Sequence, residues 1–164
     1  MCRCPEFDPL ALRPEDIQAR VQATAAIKAT LALVAARATR DRSAPRLFRC
    51  RECGQLWQSG RHAGFGSREY VYQVPEISRE AWLSEPYADP AALVAFAAQK
   101  RWLAQTRQYG VKPTPPPGRL FFMTPDALDA ERARRNCERA SVALHEALAA
   151  RGDAEHLESL RAMD

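Results

Sequence analysis

The chain has 164 residues, of which 46% are hydrophobic, and this is enough for one domain, residues 1–164, with a core of ordinary size. Its richest apolar stretch, residues 29–36, is far shorter than the roughly 20 residues that span a bilayer, so we do not expect the chain to be a membrane protein. The net charge of +4 is small and acids are interleaved with bases, so charge alone does not predict nucleic-acid binding.

A long amphipathic helix is predicted over residues 14–39, because this segment lacks internal glycine and proline and its apolar residues recur at helical spacing. Pro14 suits the first turn of a helix, where a missing N–H costs nothing. Glu15 and Asp16 follow it, where the helix dipole favours negative charge. The segment after residue 41 reads as a turn ending at Pro45.

The next segment predicts strands. Residues 47–59 should form two short strands around a cysteine turn, with Gly54 supplying the positive φ angle that such a turn requires. Alternation over residues 70–74 predicts a third strand that ends before Pro75. Together these strands predict a small antiparallel sheet.

The second half of the chain predicts two further main helices. Asp89 and Pro90 indicate the start of one helix and Gly110 its end. Another should cover residues 125–150, with a short final helix over residues 154–163. The expected fold class is therefore α+β, a small antiparallel sheet with a hairpin around the cysteine turn, flanked by three main helices.

The segments between these helices contain proline and aromatic residues. Residues 113–117 hold four prolines and should form an extended connector. Residues 120–123 are a candidate for a buried strand.

Four cysteines predict a metal site. Cys50 and Cys53 form a Cys-x-x-Cys-Gly turn, whose spacing points both sulfurs at one metal. Cys2 and Cys4 supply a second close pair, and four thiolates match the tetrahedral coordination of zinc. Such a closed site leaves no position for water, which favours a structural role over hydrolysis.

Other ligands and other roles for cysteine remain open. His62 is the rival fourth ligand, because it follows Cys53 in a loop that can fold back over the metal. Cys137 lies on an apolar helical stripe, which is typical of a buried thiol without a chemical role. A redox role for Cys50 and Cys53 is disfavoured, because redox cysteines usually lie at a helix N-terminus and here strands are predicted on both sides. His145 and His156 lie in helical segments of mixed charge, where packing or exposure is commoner than catalysis.

Basic and aromatic residues near the hairpin form a candidate interface: Arg49, Arg51, Trp57, Arg61 and His62. Such residues are typical both of protein interfaces and of nucleic-acid surfaces. Trp57, Tyr70 and Tyr72 also fit cross-strand pairs of the core, with the arginines as solubilising groups. The glycine-rich phosphate-binding motifs, the zinc-protease motif and the serine-hydrolase motif are all missing from the sequence, so a non-enzymatic role is expected.

The sequence of residues 47–57, Leu-Phe-Arg-Cys-Arg-Glu-Cys-Gly-Gln-Leu-Trp, resembles the zinc-ribbon hairpins of small bacterial proteins, some of which look like immunity proteins of toxin systems. The resemblance covers residues 47–75 and implies structural roles for Cys50 and Cys53. The basic charge differs from that of many nuclease-neutralising immunity proteins and suits an acidic partner better.

These observations predict a small bacterial protein that binds another protein, such as a toxin-neutralising immunity protein or an adaptor, with a structural zinc site. The alternative is a nucleic-acid-binding zinc-ribbon protein. The first residues lack the basic and apolar pattern of a secretion signal, so a cytoplasmic location is the default expectation. In that reducing compartment, close cysteine pairs more often bind metal than form disulfides.

Overall fold

The computed structural model describes residues 2–37, 44–62, 68–107, 110, 113–122 and 150. Within them lie a short 3-10 helix and three α-helices, α1, α2 and α3. Their bounds are Cys4–Glu6 for the 3-10 helix, Pro14–Ala29 for α1, Arg79–Ser84 for α2 and Pro90–Gln105 for α3. The four strands are Leu31–Ala36 (β1), Arg46–Cys50 (β2), Leu56–His62 (β3) and Arg68–Val74 (β4).

The strands form one sheet in the order β1-β2-β3-β4, with every neighbouring pair antiparallel. Phe48 pairs with Trp57 and Leu47 with Gln58, which fixes the register of the β2–β3 hairpin. Gln58 in turn pairs with Tyr72 of β4. The α+β class, the small antiparallel sheet and the two strands around the cysteine turn are confirmed.

Both faces of the sheet are covered. Because successive strand residues point to opposite faces, each strand contributes to two apolar layers. One layer, called here the cysteine-side cluster, consists of Cys4, Ile27, Leu31, Phe48, Cys50, Trp57 and Val71. The other layer belongs to the main core, whose members from the sheet and the elements that cover it include Leu47, Leu56, Tyr70, Tyr72, Trp82, Tyr87, Leu93 and Phe121.

The predicted helix over residues 14–39 is wrong in its second half. Helix α1 ends at Ala29, where the amide and the hydroxyl of Thr30 both donate to the carbonyl oxygen of Ile27, at 3.0 and 2.8 Å. The chain then enters β1, which consists of apolar residues throughout. Apolar residues at every position satisfy a helical and an extended pattern alike, and pairing with β2 decides for the strand.

The buried side of α1 contains two polar residues that the apolar spacing did not indicate. Arg20 is buried and donates to the carbonyl oxygen of Asp8. The buried hydroxyl of Thr24 donates to the carbonyl of Arg20 at 2.7 Å and accepts from the amide of Val71 at 3.3 Å. These bonds attach the helix to the N-terminal segment and to β4.

The start of α3 agrees with the sequence. Oδ1 of Asp89 accepts from the amides of Ala91 and Ala92 at 2.8 and 3.4 Å, as expected of an N-cap. The hydroxyl of Tyr70 also donates to Oδ1, and the amide of Arg61 donates to Oδ2 at 3.0 Å. Asp89 therefore joins the helix to the sheet as well as capping it.

The buried strand predicted over residues 120–123 does not form. Leu120 and Phe121 are buried, and the ring of Phe121 packs edge-on against Tyr72 with centroids 5.7 Å apart. The backbone makes only an isolated bridge between Arg119 and Tyr87. Burial of these apolar residues thus needs no sheet pairing. Met123, most of the helix predicted over residues 125–150 and the final short helix lie outside the described residues.

Candidate metal centre

The turn between β2 and β3 positions Cys50 and Cys53. The amide of Cys50 donates to the carbonyl of Gln55 at 2.9 Å, and the amide of Gly54 donates to the carbonyl of Cys50 at 3.1 Å. Gly54 has φ +79°, a conformation that other residues rarely adopt, as expected from its place after the second cysteine. These constraints hold both cysteines on one tight loop.

A second contact comes from the end of α1. The amide of Arg51 donates to the carbonyl of Thr30 at 3.2 Å, so the cysteine turn is attached to the junction between α1 and β1. Ile27 and Leu31, which flank that junction, belong to the same apolar cluster as Cys50. The early end of α1 therefore helps to position the site.

The N-terminal pair reaches the same place. Cys4 begins the 3-10 helix, and its carbonyl accepts from the amide of Phe7 at 3.2 Å and from the side-chain amide of Gln73 in β4. The ring of Phe7 lies edge-on to Trp57, with centroids 5.7 Å apart. Hydrogen bonds and aromatic packing therefore hold this segment against the sheet.

The sulfurs of Cys2, Cys4, Cys50 and Cys53 all lie within 4.8 Å of one another. In a tetrahedral site with Zn–S bonds of about 2.3 Å, two sulfurs are about 3.8 Å apart, so a small contraction around an ion suffices. Cys4 and Cys50 are buried, Cys2 is half-buried and Cys53 is exposed, and none of the four forms a disulfide. This cluster could hold a metal ion.

The surroundings shift the pKa values of the two buried thiols in opposite directions. Burial acts to raise the pKa of Cys50, but hydrogen bonds from the backbone of Cys53 and Glu52 outweigh it and lower the pKa to about 7. Burial raises the pKa of Cys4 far above its usual value. The surroundings thus favour the thiolate of Cys50 and the neutral thiol of Cys4, and a bound cation would favour loss of the proton from both.

The rival ligand His62 lies elsewhere. It is the last residue of β3, whose first residue, Leu56, follows the cysteine turn closely. At about 3.4 Å per residue, these two ends of the strand are about 20 Å apart. The structure thus gathers the four cysteines and places the backbone of His62 at the opposite end of the hairpin.

The residues of the candidate interface do not form one patch. Arg49 and Arg51 lie at the cysteine end of the sheet, and Arg61 lies at the other end with His62. Arg49 forms a two-bonded ion pair with Glu76, at 2.7 and 3.2 Å, and also donates to the carbonyl of Gly54 at 3.1 Å. Trp57 is 0% exposed and belongs to the core, so its side chain cannot touch a partner.

A cleft lies at the end of the sheet away from the cysteines. Its volume is about 550 Å³, and its lining residues include Gln58, Tyr72 and Asp89. Sequence reasoning did not single out Gln58. A polar residue directly after two apolar residues of a predicted strand was the available signal.

The polar groups of Gln58 are engaged within the protein. Its side-chain amide donates to the carbonyl of Tyr87 at 2.7 Å and to the hydroxyl of Tyr72, and its oxygen accepts from Nε1 of Trp82 at 2.6 Å and from the amide of Tyr87 at 3.0 Å. Burial raises the pKa of Tyr72, so its hydroxyl keeps its proton. The polar groups of Gln58 and Tyr72 that line the cleft therefore have a structural role.

Cys137, His145 and His156 lie outside the described residues. Among the helices that the structure describes, none has the length and apolar character needed to cross a membrane. Comparisons with protein-family models, with curated proteins and with solved structures find no significant match to this chain.

Proposed function

We propose that the four-cysteine cluster binds one zinc ion as a structural site, and that the protein acts by binding another protein. The observation that carries the metal half is the gathering of Cys2, Cys4, Cys50 and Cys53, with all sulfurs within 4.8 Å. Zinc is favoured over other divalent metals because four thiolates in a tetrahedron are a typical structural zinc set. Two cysteine pairs separated by α1 and two strands would then be held together by the ion.

The proposed protein-binding role follows from the closed coordination that four sulfur ligands would give the metal. Zinc bound by all four thiolates has no open position for water or substrate, so its chemistry would be structural. The exposed turn residue Arg51 lies between two of the ligands, so the metal would fix the conformation of the surface around it. We therefore assign the cysteine end as the surface that an acidic partner recognises.

The biological role that fits is that of a small bacterial immunity protein or adaptor with a zinc-ribbon-like hairpin. Free cysteines in close pairs suit a reducing compartment, so the cytoplasm is the proposed location. This role rests on the resemblance of residues 47–75 and on the proposed metal site.

A nucleic-acid-binding role has less support. Single-stranded nucleic acids are commonly bound by exposed aromatic rings together with unengaged cations. The four described aromatic residues of the hairpin strands are all buried: Phe48, Trp57, Tyr70 and Tyr72. Arg49 is already paired with Glu76. The described residues of β2, β3 and β4 thus offer no exposed ring on which a base could stack.

Crosslinking of the zinc-loaded protein in a lysate of its native host, followed by mass spectrometry, tests the partner. The proposal expects one protein recovered in stoichiometric amount, with crosslinks near the cysteine turn, and reduced recovery with Arg51→Ala. Arg61→Ala at the far end of β3 is the matched control and should not reduce recovery. Salt-dependent nucleic-acid binding that falls with the Arg51 change, without a protein partner, would favour the alternative.

A further inference from the structure

The indole N–H of Trp57 is buried without a conventional partner. Trp57 is 0% exposed, and its Nε1 has no hydrogen-bond partner among the described residues. Buried N–H groups are nearly always paired, so an unpaired one in a packed core indicates an acceptor that is incomplete in the protein alone.

The sulfur of Cys4 is the candidate acceptor. Of the four cysteines, Cys4 alone both belongs to the buried cluster of Trp57 and lines with it a cavity of about 170 Å³. A neutral thiol is a weak acceptor, whereas a thiolate attracts an N–H donor strongly.

The other buried sulfur obtains its donors from the backbone. Cys50 is approached by the backbone of Cys53 and Glu52, and exposed Cys53 by the backbone of Gln55, because all of them share one tight turn. Cys4 lies outside that turn, in the N-terminal 3-10 helix, where it shares a cavity with the side chain of Trp57. For Cys4, the side chain of Trp57 from β3 would thus take the place of the backbone amides that the turn provides for Cys50 and Cys53.

We propose that Trp57 is a positioning residue of the metal site, whose indole N–H donates to the metal-bound thiolate of Cys4. This inference rests on the proposed metal site and adds a partner from outside the two cysteine pairs. Hydrogen bonds to ligating atoms orient the ligand and stabilise its charged form. Trp57 would therefore slow the release of the metal as well as fill the core.

Trp57→Phe tests this, because phenylalanine keeps an aromatic ring and removes the N–H. Competition between the protein and a chromophoric chelator should show an affinity for zinc lowered by about 10- to 100-fold, as is usual for the loss of such a partner. In the cobalt-loaded protein, the sulfur-to-metal charge-transfer band should move, because the electron density on one sulfur changes. Unchanged zinc affinity together with an unchanged band would overturn the inference.

Trp82→Phe is the matched control. Trp82 is also 0% exposed and also loses one N–H, but its Nε1 donates to Oε1 of Gln58 at 2.6 Å, away from the cysteines. It should lower the stability of the fold while leaving zinc affinity and the cobalt band unchanged. Equal losses of zinc affinity in both variants would show that core packing alone is responsible and would also overturn the inference.

A measurement on the unaltered protein covers the case in which Trp57→Phe does not fold. In ¹⁵N-labelled protein loaded with ¹¹³Cd, the indole proton of Trp57 should show a coupling to cadmium through the N–H···S bond, and that of Trp82 should show none. A fully loaded protein without this coupling would contradict the inference and leave the metal site intact. Failure to bind zinc, cobalt or cadmium at all would contradict the proposed function itself.

Discussion

The two sides of the sheet bury polar groups in different ways. In the main core, the side chain of Gln58 takes part in four hydrogen bonds with protein groups, so this region is complete as the chain folds. In the cysteine-side cluster, the N–H of Trp57 has no hydrogen-bond partner among the described residues, and the buried sulfurs of Cys4 and Cys50 lie within 4.8 Å of those of Cys2 and Cys53. One side of the sheet thus satisfies its central polar group within the chain, whereas the other carries a thiol cluster that could hold a metal ion.

The largest expected effect is that of breaking the cysteine site. Cys50→Ser should abolish tight zinc binding and lower the free energy of unfolding, measured by urea denaturation in zinc-containing buffer, by more than about 3 kcal/mol, because metal binding to the native state adds directly to its stability. Hydrogen exchange should increase at the cysteine turn and the N-terminal segment more than around Gln58. In the presence of a chelator, the variant and the unaltered protein should have similar stability.

Disrupting the hydrogen-bond network of Gln58 should lower stability without affecting zinc binding. Gln58→Leu keeps a similar volume but leaves the N–H groups of Trp82 and Tyr87 without their acceptor. We expect a loss of about 2–4 kcal/mol in urea denaturation, since each unsatisfied buried group costs about 1–3 kcal/mol. Zinc stoichiometry by native mass spectrometry should not change. Loss of zinc from this variant would contradict the independence of the two sides.

A smaller effect is expected at Gly60. A Cβ there would lie 2.2 Å from Oδ2 of Asp89, so Gly60→Ala must push the carboxylate away from Tyr70 and the start of α3. Thermal unfolding should show a loss of about 1–3 kcal/mol, the usual cost of overpacking. Gly110→Ala is the matched control, because nothing lies within 4 Å of its added Cβ. Equal destabilisation of both variants would refute the proposed close approach.

The smallest effect concerns the ion pair beside the cysteine turn. Glu76→Gln should lower stability by less than about 1 kcal/mol, because both Glu76 and Arg49 are exposed to solvent. The difference from the unaltered protein should shrink at high salt, where exposed charges are screened. A larger loss that persists at high salt would show that this pair supports the metal turn itself.

The hairpin and the metal residues were accessible from the sequence because their signals are local. The Cys-x-x-Cys-Gly spacing and the alternation over residues 70–74 depend on a few neighbouring residues, and the structure has the strands where they were expected. The count of four cysteines suggested one site, but the meeting of Cys2 and Cys4 with Cys50 and Cys53 is a long-range fact. Spacing along the chain cannot show such a contact.

The errors arose where tertiary contacts outweigh local pattern. Leu31 and Val34 continue the apolar stripe of the predicted helix, yet both lie in β1, which pairs with β2. Helix α2 was not predicted, because its six residues give too short a pattern. Trp57 was named as a possible interface residue, with a cross-strand core pair as the alternative, and its burial opposite Phe48 agrees with the core pair.

Native mass spectrometry of the purified protein, with and without a chelator, tests directly whether the four cysteines bind one zinc ion. We predict one zinc ion per chain, lost from Cys2→Ser, Cys4→Ser, Cys50→Ser and Cys53→Ser, and retained by His62→Ala. Absence of metal from the unaltered protein, or loss of zinc from His62→Ala together with its retention in the Cys2 and Cys4 variants, would contradict a site made of these four cysteines.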